Sequence, residues 1–166
     1  MYTVDRPEMA EVAGFLRGVV DEFGDRVLTA EMGLPPERLT RYHALVDVPM
    51  NFGLITRPWT AERLATRIAR YLAAVPPGAW PNWVLGNHDV SRVATRLGPA
   101  LARAAAVLLL TLPGTATLYY GDELGLPDNP SRPPRQVSWG EQSFDEMGLV
   151  LFAFTADTEN LLRTAK

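Results

Sequence analysis

Short apolar runs alternate with helix-patterned stretches along the first three quarters of the chain, and this rhythm constrains the fold more than any other feature. The runs are RVLTAE at 26–31, VDVPMNF at 46–52, NWVLGN at 82–87 and ATLYYGDEL at 116–124. They have strand length, and their apolar character suits strands covered on both faces. Strands separated by helices at this spacing predict βα units around a parallel sheet. Pro49 weakens the second run, because proline cannot donate to a sheet ladder.

The intervening segments carry helical spacing. Residues 6–23 make the first helix, with Asp5 as its cap, Glu8 three positions on and Pro7 in the first turn. Met9, Val12, Leu16, Val19, Val20 and Phe23 recur along it, and Gly24 ends it. A short helix at 36–45 places His43 at the surface. Helix 61–75 has one stripe of Leu64, Ile68, Leu72 and Val75, with Thr60 as its cap. Helix 99–112 opens with Pro99 and stops at Pro113-Gly114. Its AAAVLLLTL run is about half of the roughly 20 residues that a membrane span needs. Beyond 126 the rhythm fails. LPDNPSRPPRQVSWGEQS reads as a loop, and MGLVLFAFTA at 147–156 fits either a strand or a buried helix.

Three of the runs end in polar groups: Glu31, then Asn87-His88-Asp89, then Asp122-Glu123. The C-terminal ends of strands are where α/β barrels and open α/β sheets place their chemistry. Burying Asn, His and Asp side by side is costly unless they are paired or exposed for chemistry. Two chemistries use a Gly-Asn-His-Asp cluster. A two-metal phosphoesterase needs several more His and Asp to hold its ions, and the only histidines here are His43 and His88. The ligand count therefore speaks against a metal centre. A glycosidase instead uses carboxylates around an oxocarbenium-like transition state. Asp122-Glu123 reads as a loop tie or a partner for an arginine. Tyr119, Tyr120, Trp80 and Trp83 read as core or rim packing rather than sugar platforms, although one aromatic near a sugar subsite would be ordinary.

Composition narrows the field further. A chain of 166 residues with 47% hydrophobic and 21% charged residues suits one globular domain. A net charge of −3 offers no basic surface for nucleic acid. The absence of cysteine removes disulfides, zinc–thiolate sites and thiol nucleophiles. The opening MYTVDRPEMAEV lacks the apolar core of a signal peptide, so a cytoplasmic location is expected.

Several stretches in order carry a family resemblance. RVLTAEM, AWPNWVLGNHDVSRVATRLG and LLLTLPGTATLYYGDELGLPD, with RPEMAEV and MNFGLITRPW, resemble the C-terminal half of the catalytic barrel of α-glucosidases in the α-amylase superfamily, glycoside hydrolase family 13. The likeness covers about residues 4 to 128. It implies that Glu31 is the acid/base at the end of the fifth barrel strand, protonating the leaving oxygen and then activating water. It implies that Asp89 orients the sugar and stabilises the transition state, that His88 grips the same hydroxyls, and that Arg92 lies near the innermost subsite. Asn87 shapes the strand end. The family's nucleophile, an aspartate in a Gly-x-Arg-x-Asp setting, has no counterpart in these 166 residues, and neither has its Asp-x-x-x-Asn-His motif. The tail SRPPRQVSWGEQSFDEMG does not reproduce the family's Arg-Thr-Pro-Met-Gln-Trp-like motif.

The expected fold is therefore α/β: a partial (β/α)8 TIM barrel of about units five to eight over 1–126, with an irregular, divergent tail at 127–166. The expected activity is that of a retaining α-glucosidase fragment, hydrolysing or transferring at α-glucosidic bonds, and inactive alone for want of the nucleophile. The alternative is a non-catalytic remnant that binds sugar or a complementary half-barrel. No cofactor or metal is expected. The expected ligand is an α-glucoside or oligosaccharide, with neither nucleic acid nor membrane as partner. A half-barrel has exposed strand edges, so self-association, a complementary half or a tail folded over one edge is expected.

Overall fold

The computed structural model describes residues 5–55 and 58–131, and the backbone of 150–155. Five strands are present among these residues: β1 (Arg26–Glu31), β2 (Val48–Met50), β3 (Asn82–Val84), β4 (Thr115–Thr117) and β5 (Val150–Thr155). β1 pairs parallel with β2, and β3 pairs parallel with β4. One parallel bridge, Asn51 to Trp83, links the two pairs. The strand order is thus β5-β1-β2-β3-β4. β5 runs antiparallel to β1, from Arg26 opposite Thr155 to Glu31 opposite Val150. The tail expected to be irregular therefore contributes a strand, which lies over the β1 edge.

Helices α1 (Pro7–Asp21), α2 (Pro36–Leu39), α3 (Ala61–Ala74), α4 (Val93–Leu97) and α5 (Pro99–Thr111) fill the connections, with a 3-10 helix at Thr40–Ala44. β1 occupies the expected span. β2 is shorter than expected, and Pro49 lies inside it, opposite Ala30. A three-residue strand loses at most one ladder bond to that proline. Outside the ladder, Thr29 Oγ1 donates to the Val48 carbonyl at 2.6 Å. β3 and β4 also end early. After Thr117 the chain enters a turn in which Gly121 adopts φ +87° and its carbonyl accepts from Leu124 N and Leu126 N.

The core lies between the sheet and the helices. Leu28 and Ala30 of β1, Leu64 and Tyr71 of α3, Trp83 of β3 and Leu109 of α5 meet there, all buried. Trp83 is held in place twice: its indole donates to the Pro113 carbonyl at 2.8 Å, and Tyr71 packs edge-on at 5.0 Å. Thr60 caps α3 by accepting from Arg63 N at 3.4 Å. The inner stripe of α3 runs Leu64, Ile68, Tyr71 rather than through Leu72, which is 36% exposed. Tyr71 completes the i, i+4, i+7 row, whereas Leu72 sits one residue further round the helix.

Two local expectations change for physical reasons. Asp5 does not cap α1; Arg6 holds that position without a side-chain bond. The Asp5 carboxylate instead pairs with Arg38 Nε and accepts from the Tyr42 hydroxyl at 3.0 Å. Burial and that carboxylate together push the Tyr42 phenol up to about 12. His43 is half-buried rather than on the surface, its Nε2 has no partner among the described residues, and burial holds the imidazole below its ordinary range. The apolar residues of α1 also divide. Ala13 and Val20 are buried, whereas Val12, Phe15 and Val19 form an outward row, continued past the helix end by Phe23, that is 38–71% exposed.

Candidate active site

The site is assembled at the C-terminal ends of β1, β3 and β4. Glu31 closes β1 with only 5% of its surface exposed. A buried carboxylate needs a donor, and this one is Asn87, whose Nδ2 donates to Glu31 Oε1 at 2.7 Å. The bond reaches across β2, because Asn87 lies three residues beyond the end of β3. The other end of the same amide is engaged as well: Asn87 Oδ1 accepts from Asp89 N at 3.1 Å. One side chain thus joins the buried carboxylate to the backbone that carries Asp89. Asn87 shapes the strand end as expected, but its bond to Glu31 is a role that sequence reasoning missed.

His88 and Asp89 face outward from this platform. Their side chains are 64% and 39% exposed, with His88 Nε2 lying 3.5 Å from Asp89 Oδ1. The site thus combines an enclosed carboxyl group with an accessible carboxylate–imidazole pair, joined through Asn87.

Arg92 turns toward the end of β4. Its Nη1 donates to the Tyr120 carbonyl at 2.8 Å and lies 3.5 Å from Asp122 Oδ1. The guanidinium stands over the rings of Tyr119 and Tyr120, at 5.0 and 5.1 Å from their centroids. Asp122 is the arginine partner that its position suggested, and its side chain is 3% exposed. Burial pushes the Asp122 carboxyl above its usual range, against the opposing pull of Arg92 and Arg96. Gly86 packs closely against this carboxyl: a Cβ there would lie 3.2 Å from Asp122 Oδ2, so the acid would have to give by a few tenths of an ångström. Glu123 ties its own turn by accepting from Gly121 N at 2.7 Å.

Arg96 carried no sequence signal. It donates through Nε to the Ser91 carbonyl at 2.7 Å, through Nη1 to Ile55 O at 2.8 Å and through Nη2 to Leu85 O. It therefore clamps the loop after β2 to the end of β3 and to the segment that bears His88 and Asp89. Among the described residues no group of three or more His, Asp or Glu is placed to hold a metal ion, and no helix is long and apolar enough to cross a membrane.

Parallel βα units with polar side chains gathered at their C-terminal strand ends are the arrangement of an α/β barrel, of which this chain holds a part. The match to the α-amylase catalytic domain runs over residues 1–160, and the chain belongs to that family. A salivary α-glucosidase of Anopheles gambiae is 35% identical over 152 residues, covering 84% of this chain and 25% of that protein. The amino acid transporter heavy chain SLC3A1 of Rattus norvegicus is 36% identical over 98 residues, covering 55% of this chain and 14% of that protein. Among solved structures, the α-glucosyl transfer enzyme XgtA superposes with a TM-score of 0.67 at 31% identity, covering 74% of this chain and 24% of that one. The chain spans about a quarter of the length of the α-glucosidases it matches.

Proposed function

We propose that this chain supplies units five to eight of an α-glucosidase catalytic barrel. In this reading Glu31 is the acid/base and Asp89 the transition-state stabiliser. The observation that carries the reading is the Asn87 amide, which bonds buried Glu31 and the Asp89 backbone at once. A group that must give a proton to a leaving oxygen and then take one from water has to be held still and kept from bulk solvent. Asp89 and His88, more exposed, take the hydroxyls of an α-glucoside. Arg92 acts from behind them, fixing the end of β4 against the loop that carries both. Without the attacking aspartate, which a retaining mechanism needs about 5–5.5 Å from the acid, the chain binds an α-glucoside but does not turn it over.

The isolated chain should release no aryl alcohol from an aryl α-glucoside above background. It should still show maltose-dependent amide shifts at His88 and Asp89, and Asp89→Asn should weaken that binding roughly tenfold, the loss of about one charged hydrogen bond. Turnover that Glu31→Gln abolishes would overturn the inactivity. Shifts confined to residues remote from Glu31 and Asp89 would overturn the site.

A second reading, of an association module, is favoured by the outward row on α1 and by Val107 and Leu110 on α5, which are 63% and 64% exposed. Exposed rows of this kind on two helices suit covering by further barrel helices. The occupant we assign is the remainder of such a catalytic domain, on the same chain or a partner.

A further inference from the structure

Resting on the sugar-binding reading above, we propose that Tyr120 is a stacking platform for a second glucosyl ring of an α-linked oligosaccharide, beyond the ring gripped by His88 and Asp89. The phenol is 71% exposed. An exposed tyrosine on a loose loop would be ordinary, but this one is fixed from several sides. Tyr119 meets it edge-on at 4.8 Å. The Arg92 guanidinium stands over one of its faces, and Arg92 Nη1 also holds its carbonyl at 2.8 Å.

The turn that follows leaves little freedom. Asp122 N donates to the Tyr119 carbonyl at 3.0 Å, and Leu126 N donates to Gly121 O at 3.0 Å. At Gly121 the positive φ excludes most side chains, and a Cβ would lie 2.8 Å from Leu126 Cδ1 and 3.0 Å from Arg92 Nη1. The ring is therefore mounted against a cation while most of its surface stays exposed to solvent.

Its position follows from Arg92, three residues after Asp89. The arginine that binds the Tyr120 carbonyl belongs to the same segment as the outward His88–Asp89 pair, and β3 and β4 are parallel neighbours, so Tyr120 and that pair both follow strand ends at the same end of the sheet. The chemistry fits a pyranose. The C–H face of a glucosyl ring is weakly positive and complements the negative face of an aromatic ring, while its hydroxyls stay hydrated around the edge. A ring already held in place loses little rotamer freedom on binding.

The experiment is a titration of the isotope-labelled chain with glucose, maltose and maltotriose, followed by backbone amide shifts. In the wild type the two longer sugars should bind more tightly than glucose. Tyr120→Ala should lose roughly three- to tenfold for maltose and maltotriose, the worth of one aromatic face, and nothing for glucose. Tyr120→Phe should keep the preference. An unchanged preference in Tyr120→Ala overturns the platform alone. So does an equal loss for all three sugars, or a loss in Tyr120→Phe as large as in Tyr120→Ala. If no sugar binds the wild type, the sugar-binding reading itself falls, and the platform with it.

Discussion

At the scale of single residues, partners decide what each polar group can do. Asn87 is the instructive case. The sequence places it in a cluster that had to be paired or exposed, and both halves of that statement hold: Asn87 bonds Glu31 while His88 and Asp89 face out. What it bonds was not legible, because Glu31 lies 56 positions away along the chain. His43 yields a prediction at this scale. Its imidazole is held below the ordinary value of 6.5 by burial, so the unfolded chain takes up a proton first as the pH falls. Stability is then unaffected above the ordinary histidine range and declines as the pH drops through it, until the folded form is protonated too. Urea unfolding should show a lower free energy at about pH 5 than at about pH 7, and His43→Asn should flatten that part of the slope.

At the scale of elements, periodicity located the long helices and β1, but short pieces escaped it. α4 has five residues, fewer than two turns, and Gly98 at φ +79° separates it from α5. No apolar stripe can register over that length. β4 was read too long because Leu118, Tyr119 and Tyr120 continue an apolar run through a turn that Gly121 sets. Hydrophobicity alone does not mark where a ladder stops. The function of α4 is to carry Arg96, whose three carbonyl acceptors lie on three separate segments. Arg96→Met should cost on the order of 3 kcal/mol in a denaturant melt, since it leaves those carbonyls unpaired. Arg96→Lys should recover only a part, because a single ammonium cannot reproduce the planar fork of guanidinium donors.

At the scale of the molecule, the chain exposes an apolar row on one helix. Val12, Phe15 and Val19 lie along one side of α1 at spacings of three and four residues, and Phe23 follows two residues beyond the helix end. The sequence showed that these residues were apolar and helical. It could not show that they point outward, because a helix covered on one face has the same periodicity as one packed on both. Sedimentation of the purified chain should reveal association that grows with concentration, and Phe15→Glu should shift it toward monomer, with far-ultraviolet circular dichroism unchanged. A monomer at every concentration would show that the row needs no cover.

A strand has two lateral hydrogen-bonding sides. β1 gives one to β2 and the other, along its whole length, to β5. A strand that docks on the β5 side of Arg26–Glu31 must therefore evict 150–155 before it can form a ladder bond there. The tail acts as a competitive placeholder, and assembly of a fuller barrel becomes an exchange of one lodger for another rather than a simple addition.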